Sequence, residues 1–203
     1  MEKQQILVIH GGNAFTTNEQ YINSLQNSRL DLDKLRMKKD WKDSLQEKLG
    51  GAFDVLQPRM PNASNAQYEE WKLWFEKAAV LLDDDIILVG HSLGGIFLAK
   101  YLSENDFPKK IKATFLISAP FSNGEDEPLG SFVLSKPLKK MEKQGGKIFL
   151  YHSKDDKVVP FTEVKKYIDQ LAGATTHFFE DRGHFNLESF PELIQEIQNI
   201  SSY

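Results

Sequence analysis

A serine hydroxyl becomes a useful nucleophile only when its backbone presents it and a base stands beside it. One serine of this chain sits in a frame that does the presenting: Val89-Gly90-His91-Ser92-Leu93-Gly94-Gly95. A short apolar run, Ile86 to Val89, precedes it, and the helix-like stretch Ile96 to Leu102 follows. A strand that reverses directly into a helix pushes Ser92 out at the carboxyl end of the strand. Side chains two residues either side would collide, so Gly90 and Gly94 carry none, and Gly95 lets the new helix pack closely. The helix amino terminus then lies beneath the hydroxyl, and the Leu93 N–H points where an oxyanion would form. The simpler alternative is a glycine-rich turn whose serine only caps the helix. Strand, motif and helix agree in register, and that agreement favours the nucleophile.

Ser92 then needs a base, and the base an orienting acid. In folds built on such a turn the acid and the histidine follow the serine in that order. This sets aside His10 and His91 as bases. His177 lies inside an apolar run, and His152 precedes the acidic loop, although it could line the site. His184 remains, in Asp181-Arg182-Gly183-His184-Phe185-Asn186, a loop expected at the same sheet edge as Ser92. The acid belongs in His152-Ser153-Lys154-Asp155-Asp156-Lys157-Val158-Val159-Pro160, where two adjacent aspartates offer themselves. One would orient the imidazole while the other caps the next helix or faces water.

These loops need a scaffold, and the 203 residues with 40% hydrophobic content are enough for one substantial core. A single domain, residues 1–203, is the natural reading. A net charge of −4 with mixed signs shows no basic patch, which speaks against nucleic acid as a partner. Cysteine is absent, so disulfides, cysteine metal sites and a thiol nucleophile are excluded. The apolar run Ile6–Ile9 is too short for a signal peptide, and no stretch approaches the ~20 residues of a membrane span. A soluble, cytoplasmic protein with no membrane partner is the default expectation.

Short β-like runs alternate with helix-like stretches, the pattern of a parallel α/β sheet. Strands are expected at Ile6–Ile9, Phe53–Leu56, Ile86–Val89, Ile111–Ile117, Lys147–Tyr151 and Thr175–Phe179. Helical periodicity marks Tyr21–Leu25, Trp41–Leu49, Tyr68–Leu82, Val164–Leu171 and a final helix from about Pro191. The stripe Tyr68, Trp71, Leu73-Trp74-Phe75, Ala78, Ala79 and Leu82 reads as packing on the sheet. The charged stretch Arg29–Asp40 reads as solvated surface. Residues 122–146 read as irregular, with one apolar patch at Phe132-Val133-Leu134.

Five stretches together resemble the α/β-hydrolase superfamily, and within it the small serine hydrolases of the retinoblastoma-binding-protein type. They are His10–Gly12, Leu56-Gln57-Pro58-Arg59-Met60-Pro61 leading into the Trp71 helix, Gly90–Gly94, Asp155–Pro160 and Gly183-His184-Phe185. The resemblance paces nearly the whole chain, apart from Arg29–Asp40 and Ser122–Gly146. It implies six parallel strands in the order 2-1-3-4-5-6, helices on both faces and no antiparallel edge strand. It also selects Asp156, the aspartate four residues before the Val-Pro proline, as the catalytic acid. The loop after the first strand should supply a second oxyanion N–H, at Gly12 or Asn13, with Gly12 taken here. Asn13-Ala14-Phe15 matches no pattern tied to a particular substrate group.

The expected activity is hydrolysis of a small ester, or of an amide, through an acyl-serine on Ser92 with His184 as base and Asp156 as orienting acid. This chemistry calls for no cofactor, and no metal-ligand cluster is apparent. Two other readings stand beside it: a non-catalytic ligand- or protein-binding member of the same fold, and an acyltransferase. Asn13 and the aromatics after the chemical loops, Phe15, Phe121 and Phe185, are expected to line the substrate pocket. Residues 122–146 should form a minimal cap, with Phe132-Val133-Leu134 folded over the mouth.

Overall fold

Runs of apolar residues with no polar alternation form strands covered on both faces, as a parallel sheet requires. The computed structural model describes residues 3–36, 39–124 and 128–201. In chain order it contains β1 (Gln4–Ile9), α1 (Asn18–Asn27), α2 (Leu32–Leu35), α3 (Trp41–Leu49), β2 (Phe53–Leu56), α4 (Tyr68–Ala79) and β3 (Ile86–His91). There follow α5 (Leu93–Glu104), β4 (Ile111–Ile117), α6 (Lys139–Gln144), β5 (Lys147–Ser153), α7 (Thr162–Gln170), β6 (Thr175–Phe179) and α8 (Pro191–Ser201). All six strands pair in parallel in the order β2-β1-β3-β4-β5-β6, the α/β-hydrolase arrangement expected from the resemblance.

The side chains of each strand alternate between two cores. Leu7, Ile9, Leu88, Leu116 and Leu150 face a core closed by α4, α5, α6 and α7. Ile6, Val8, Val89, Phe115 and Tyr151 face the other, closed by α3 and α8. Because every strand runs the same way, the loops that follow β1, β3, β4, β5 and β6 all emerge at one edge, where parallel sheets bind ligands.

Several local readings need correction. In α4 the buried stripe is Tyr68, Trp71, Phe75 and Ala79, while Leu73 and Trp74 point to solvent at 60% and 47% exposure. They fall between turns of the 3.6-residue repeat, so an unbroken apolar run does not mean an unbroken buried face. Helix α1 buries none of its residues. Residues 122–146 are less irregular than expected: they hold a 3-10 turn at Gly130–Phe132 and helix α6. Phe132 is fully buried among the rings of Tyr68, Trp71 and Phe97, and does not cover the site mouth. A loop aromatic gains more from a preformed aromatic cluster than from a solvent-facing lid. Among the described residues, no helix is long and apolar enough to cross a membrane.

Candidate active site

Ser92 joins β3 to α5 with φ 55° and ψ −122°, a backbone geometry that costs a non-glycine residue about 1–3 kcal/mol. Its N–H donates to Ile117 O (2.8 Å), and its carbonyl accepts from Gly95 N (2.9 Å), which locks the turn. A Cβ on Gly90 would sit 2.5 Å from Gly94 O, and one on Gly95 would sit 2.6 Å from Ala119 Cβ. On Gly94 it would meet the carbonyls of Ile9 and His10. Leu93 opens α5, so its N–H is one of those a helix start leaves without an intrahelical partner.

The loop after β1 runs directly against the serine. A Cβ on Gly11 would lie 3.1 Å from Ser92 Cβ and 3.5 Å from Oγ, and one on Gly12 would lie 3.4 Å from Leu93 Cδ2. Asn13 N–H is committed to Ala63 O (2.8 Å), which leaves the Gly12 amide as the candidate partner of Leu93. His10 holds this loop. Met60 N–H donates to its Nε2 (2.9 Å), so the proton belongs on Nδ1, which faces Gly11 O at 2.6 Å. Trp71 packs its edge on that imidazole and donates Nε1–H to Pro61 O (2.8 Å). The Gln57–Pro61 stretch thus reaches the β1 loop through the Met60 N–H bond to His10, while Gln57 donates to Lys42 O (2.6 Å).

Asp156 and His184 come together at the far end of β5 and β6. His184 Nδ1 lies 2.8 Å from Asp156 Oδ2, which also accepts from Ser118 Oγ at 2.7 Å. The other oxygen accepts from the N–H groups of Val158 (2.8 Å) and Val159 (2.9 Å). Burial pushes the Asp156 carboxyl up, but the His184, Val159 and Ser118 hydrogen bonds outweigh it and hold it below its usual range. Asp155 faces elsewhere: its carboxylate accepts from Ser153 Oγ and from Gly183 N–H (2.8 Å), tying the β5 loop to the β6 loop. Those two bonds lower its pKa.

Two more histidines brace loops. His91 Nε2 lies 2.8 Å from the His184 carbonyl, and its Nδ1 lies 3.4 Å from Lys42 Nζ. Lysine can only donate, so Nδ1 accepts and Nε2–H bonds the carbonyl. His152 Nε2–H bonds Val159 O at 2.9 Å and steadies the acid loop; it is 1% exposed and does not line the site. Lys42 is paired with Asp40 at 2.7 Å and lies over the Trp41 ring at 4.6 Å. Trp41 itself donates Nε1–H to Phe185 O (3.1 Å) and its N–H to Leu187 O (2.7 Å). Asp40, read from the sequence as solvated surface, therefore belongs to the anchoring of the His184 loop.

Two hollows meet at Ser92. One, about 70 Å³, is lined mainly by apolar side chains, among them Leu93, Pro120, Leu129 and Val159, with Asn13, Ser122 and Glu163 as its polar members. The other, about 500 Å³, is an open groove bordered by Asp40, Lys42, His91, Asn13, Asn186 and His184. Of the four side chains expected to line the pocket, Asn13 does so and the three phenylalanines do not. Phe15 packs on Tyr21 (5.5 Å between rings) and Phe121 on Tyr167 (5.0 Å). Phe185 is fully buried against Phe179 and Phe190, because its φ of 54° turns the chain inward directly after His184. The residues 125–127 of the expected cap lie outside the described residues, while Ser122, Gly124, Pro128 and Leu129 of it line the hollow.

The sequence reading passed over Ser118 and Lys42. A signal for the first was present, since Ser118 directly follows β4 and its N–H bonds Tyr151 O of β5 at the carboxyl edge. Nothing in the local sequence distinguishes Lys42 from other helix-surface lysines.

A family model described as serine hydrolase matches residues 34–199. The serine hydrolase RBBP9 of Rattus norvegicus is 30% identical over 151 residues, 73% of this chain and 78% of that protein. YdeN of Bacillus subtilis is 26% identical over 199 residues, 91% of this chain and 90% of its own length. The crystal structure of the B. subtilis ydeN gene product superposes with a TM-score of 0.79 at 22% identity, covering 99% of this chain and 100% of that one. Est1E of Butyrivibrio proteoclasticus superposes at 0.61 with 15% identity, over 99% and 88% of the two chains, and shares the fold.

The buried histidines set a pH dependence of stability. Burial holds His91 well below the usual imidazole range, with the Lys42 charge adding to it, and burial also lowers His152. The unfolded chain therefore binds more protons than the folded one below about pH 6.5, so stability falls as pH drops through that value. Urea midpoints should be level above about pH 7 and decline toward pH 5, with a shallower decline in His152→Gln. A midpoint unchanged down to pH 5 would contradict the neutral, bracing assignment.

Proposed function

Because the chain belongs to the serine hydrolase family, we propose that it cleaves small carboxylic esters through an acyl-serine formed on Ser92. The observation that carries this reading is the His184 Nδ1–Asp156 Oδ2 contact of 2.8 Å, with His184 and Ser92 bordering the same groove. With Nδ1–H held by the carboxylate, the lone pair is left on Nε2, the atom free to take a proton.

Ser92 Oγ attacks the ester carbonyl while His184 Nε2 takes its proton. The imidazolium is stabilised by Asp156, whose Oδ2 keeps a second bond from Ser118 and whose Oδ1 keeps two backbone donors. The oxyanion falls between the N–H groups of Leu93 and Gly12, each such donor being worth roughly 2.7–4 kcal/mol of transition-state stabilisation. Collapse expels the alcohol, which takes the proton back from Nε2. Water activated by the same nitrogen then attacks the acyl-serine, and His184 returns the proton to Ser92. The acyl group occupies the small apolar hollow of Leu93, Pro120, Leu129 and Val159, whose volume of about 70 Å³ suits a few carbon atoms.

Measured on p-nitrophenyl acetate, Ser92→Ala should abolish turnover, and Asp156→Asn should lower it on the order of 10³–10⁴-fold by favouring the wrong tautomer. Asp155→Asn should cost roughly tenfold or less, since its bonds to Ser153 and Gly183 act on loop position only. The reverse ranking of the two aspartates would overturn the assignment of the acid.

Across p-nitrophenyl esters, kcat/KM should peak between acetate and butyrate and fall for longer chains. Methylenes beyond the hollow forgo the ~0.8 kcal/mol that burial of each provides. A maximum at decanoate or beyond would mean that a deeper acyl site exists.

A further inference from the structure

The two hollows at Ser92 are not interchangeable, because the position of His184 decides which half of a substrate enters each. The departing oxygen must receive its proton from His184 Nε2, so the leaving group lies on the side that His184 borders. That side is the more open groove of about 500 Å³, and the smaller, mostly apolar hollow of about 70 Å³ is left for the acyl group. The larger and more polar half of the substrate is thus the alcohol.

We propose, resting on the acyl-serine reading above, that the leaving group is a neutral polyhydroxylated alcohol, a glycerol- or sugar-like polyol, held by Lys42, Asp40, Asn13 and Asn186. The groove presents these four side chains around the serine. Lys42 and Asp40 sit 2.7 Å apart and cancel in charge, so the pair favours neither an anionic nor a cationic alcohol. An anion would face the Asp40 carboxylate, and a cation the Lys42 ammonium. A hydroxyl, which donates and accepts at once, is matched to both. Lys42 Nζ lies 2.7 Å from Asp40 and 3.4 Å from His91 Nδ1 while bordering the groove, so a ligand hydroxyl there would share the ammonium with those two partners. Asn13 and Asn186 are exposed, and their side-chain amides are not engaged by another described residue. Each adds a donor and an acceptor.

The site is also fixed in place before a ligand arrives. Asp40 caps α3 through Lys42 N–H (3.0 Å), and the lysine ammonium is held over Trp41 and against His91. A plain alkyl group lying there would strip water from Lys42 and Asp40 and return no hydrogen bond. A polyol replaces that water with hydroxyls.

The experiment compares glyceryl monoacetate with 2-methoxyethyl acetate, esters of alcohols of similar acidity, one with two free hydroxyls and the other with none. On the wild-type 203-residue chain, kcat/KM should favour the glyceryl ester by roughly tenfold, the effect of one or two hydrogen bonds gained. The ratio should fall toward unity in Lys42→Met and be reduced in Asn186→Ala, an exposed position at which folding is not at stake. Equal wild-type kcat/KM for the two esters, or a ratio that survives both substitutions, would overturn the polyol assignment alone. Absence of turnover of either acetate, or turnover persisting in Ser92→Ala, would instead overturn the acyl-serine reading on which it rests.

Discussion

A strand that becomes a helix at one residue leaves no space for side chains beside the turn, and this packing condition organises the site. Ser92 takes a φ of 55°, and the glycines around it let two other segments close in. Gly94 admits the carbonyls of Ile9 and His10, which brings the β1 loop against the serine. Gly95 admits Ala119, which brings the end of β4 close, and with it Ser118, the hydroxyl donor to Asp156. The helix that follows is buried from Leu93 to Ser103, so the strain at its first turn is offset by contacts along its whole length.

The remaining precision comes from polar groups kept neutral or fully paired. Three imidazoles each hold one loop: His10 the β1 loop through Gly11 and Met60, His152 the β5 loop through Val159, and His91 the β6 loop through the His184 carbonyl. A fourth, His184, sits on the Asp156 carboxylate, which takes three further donors from Ser118, Val158 and Val159. Backbone strain recurs where these loops turn, with φ 43° at Ser118 and 54° at Phe185. Both residues flank a polar bond that would be lost if the turn relaxed.

The strands and the edge loops were legible in the sequence because an unbroken apolar run and a glycine frame each have one physical explanation in a parallel sheet. The loops of Ser92, of the Asp155-Asp156 pair and of His184 could be placed at one edge for the same reason, only the resemblance chose Asp156 of the pair, and the structure brings those loops together. What depended on side-chain direction was not legible. Leu73 and Trp74 are apolar yet exposed, and Phe132 and Phe185 leave the loops they belong to for aromatic clusters. The anchoring by Trp41, Lys42 and Asp40 joins positions more than 140 residues from the loop they hold in the case of Trp41 and Phe185. No local pattern encodes such a pairing.

The central claim is that one serine of this chain is activated. Incubation with a fluorophosphonate probe at neutral pH, followed by peptide mapping of the adduct, tests it directly. The account predicts a single stoichiometric adduct on the peptide containing Ser92, lost in His184→Ala while the thermal unfolding transition is retained. Folded wild-type protein that takes up no probe, or an adduct on a different serine, would contradict it.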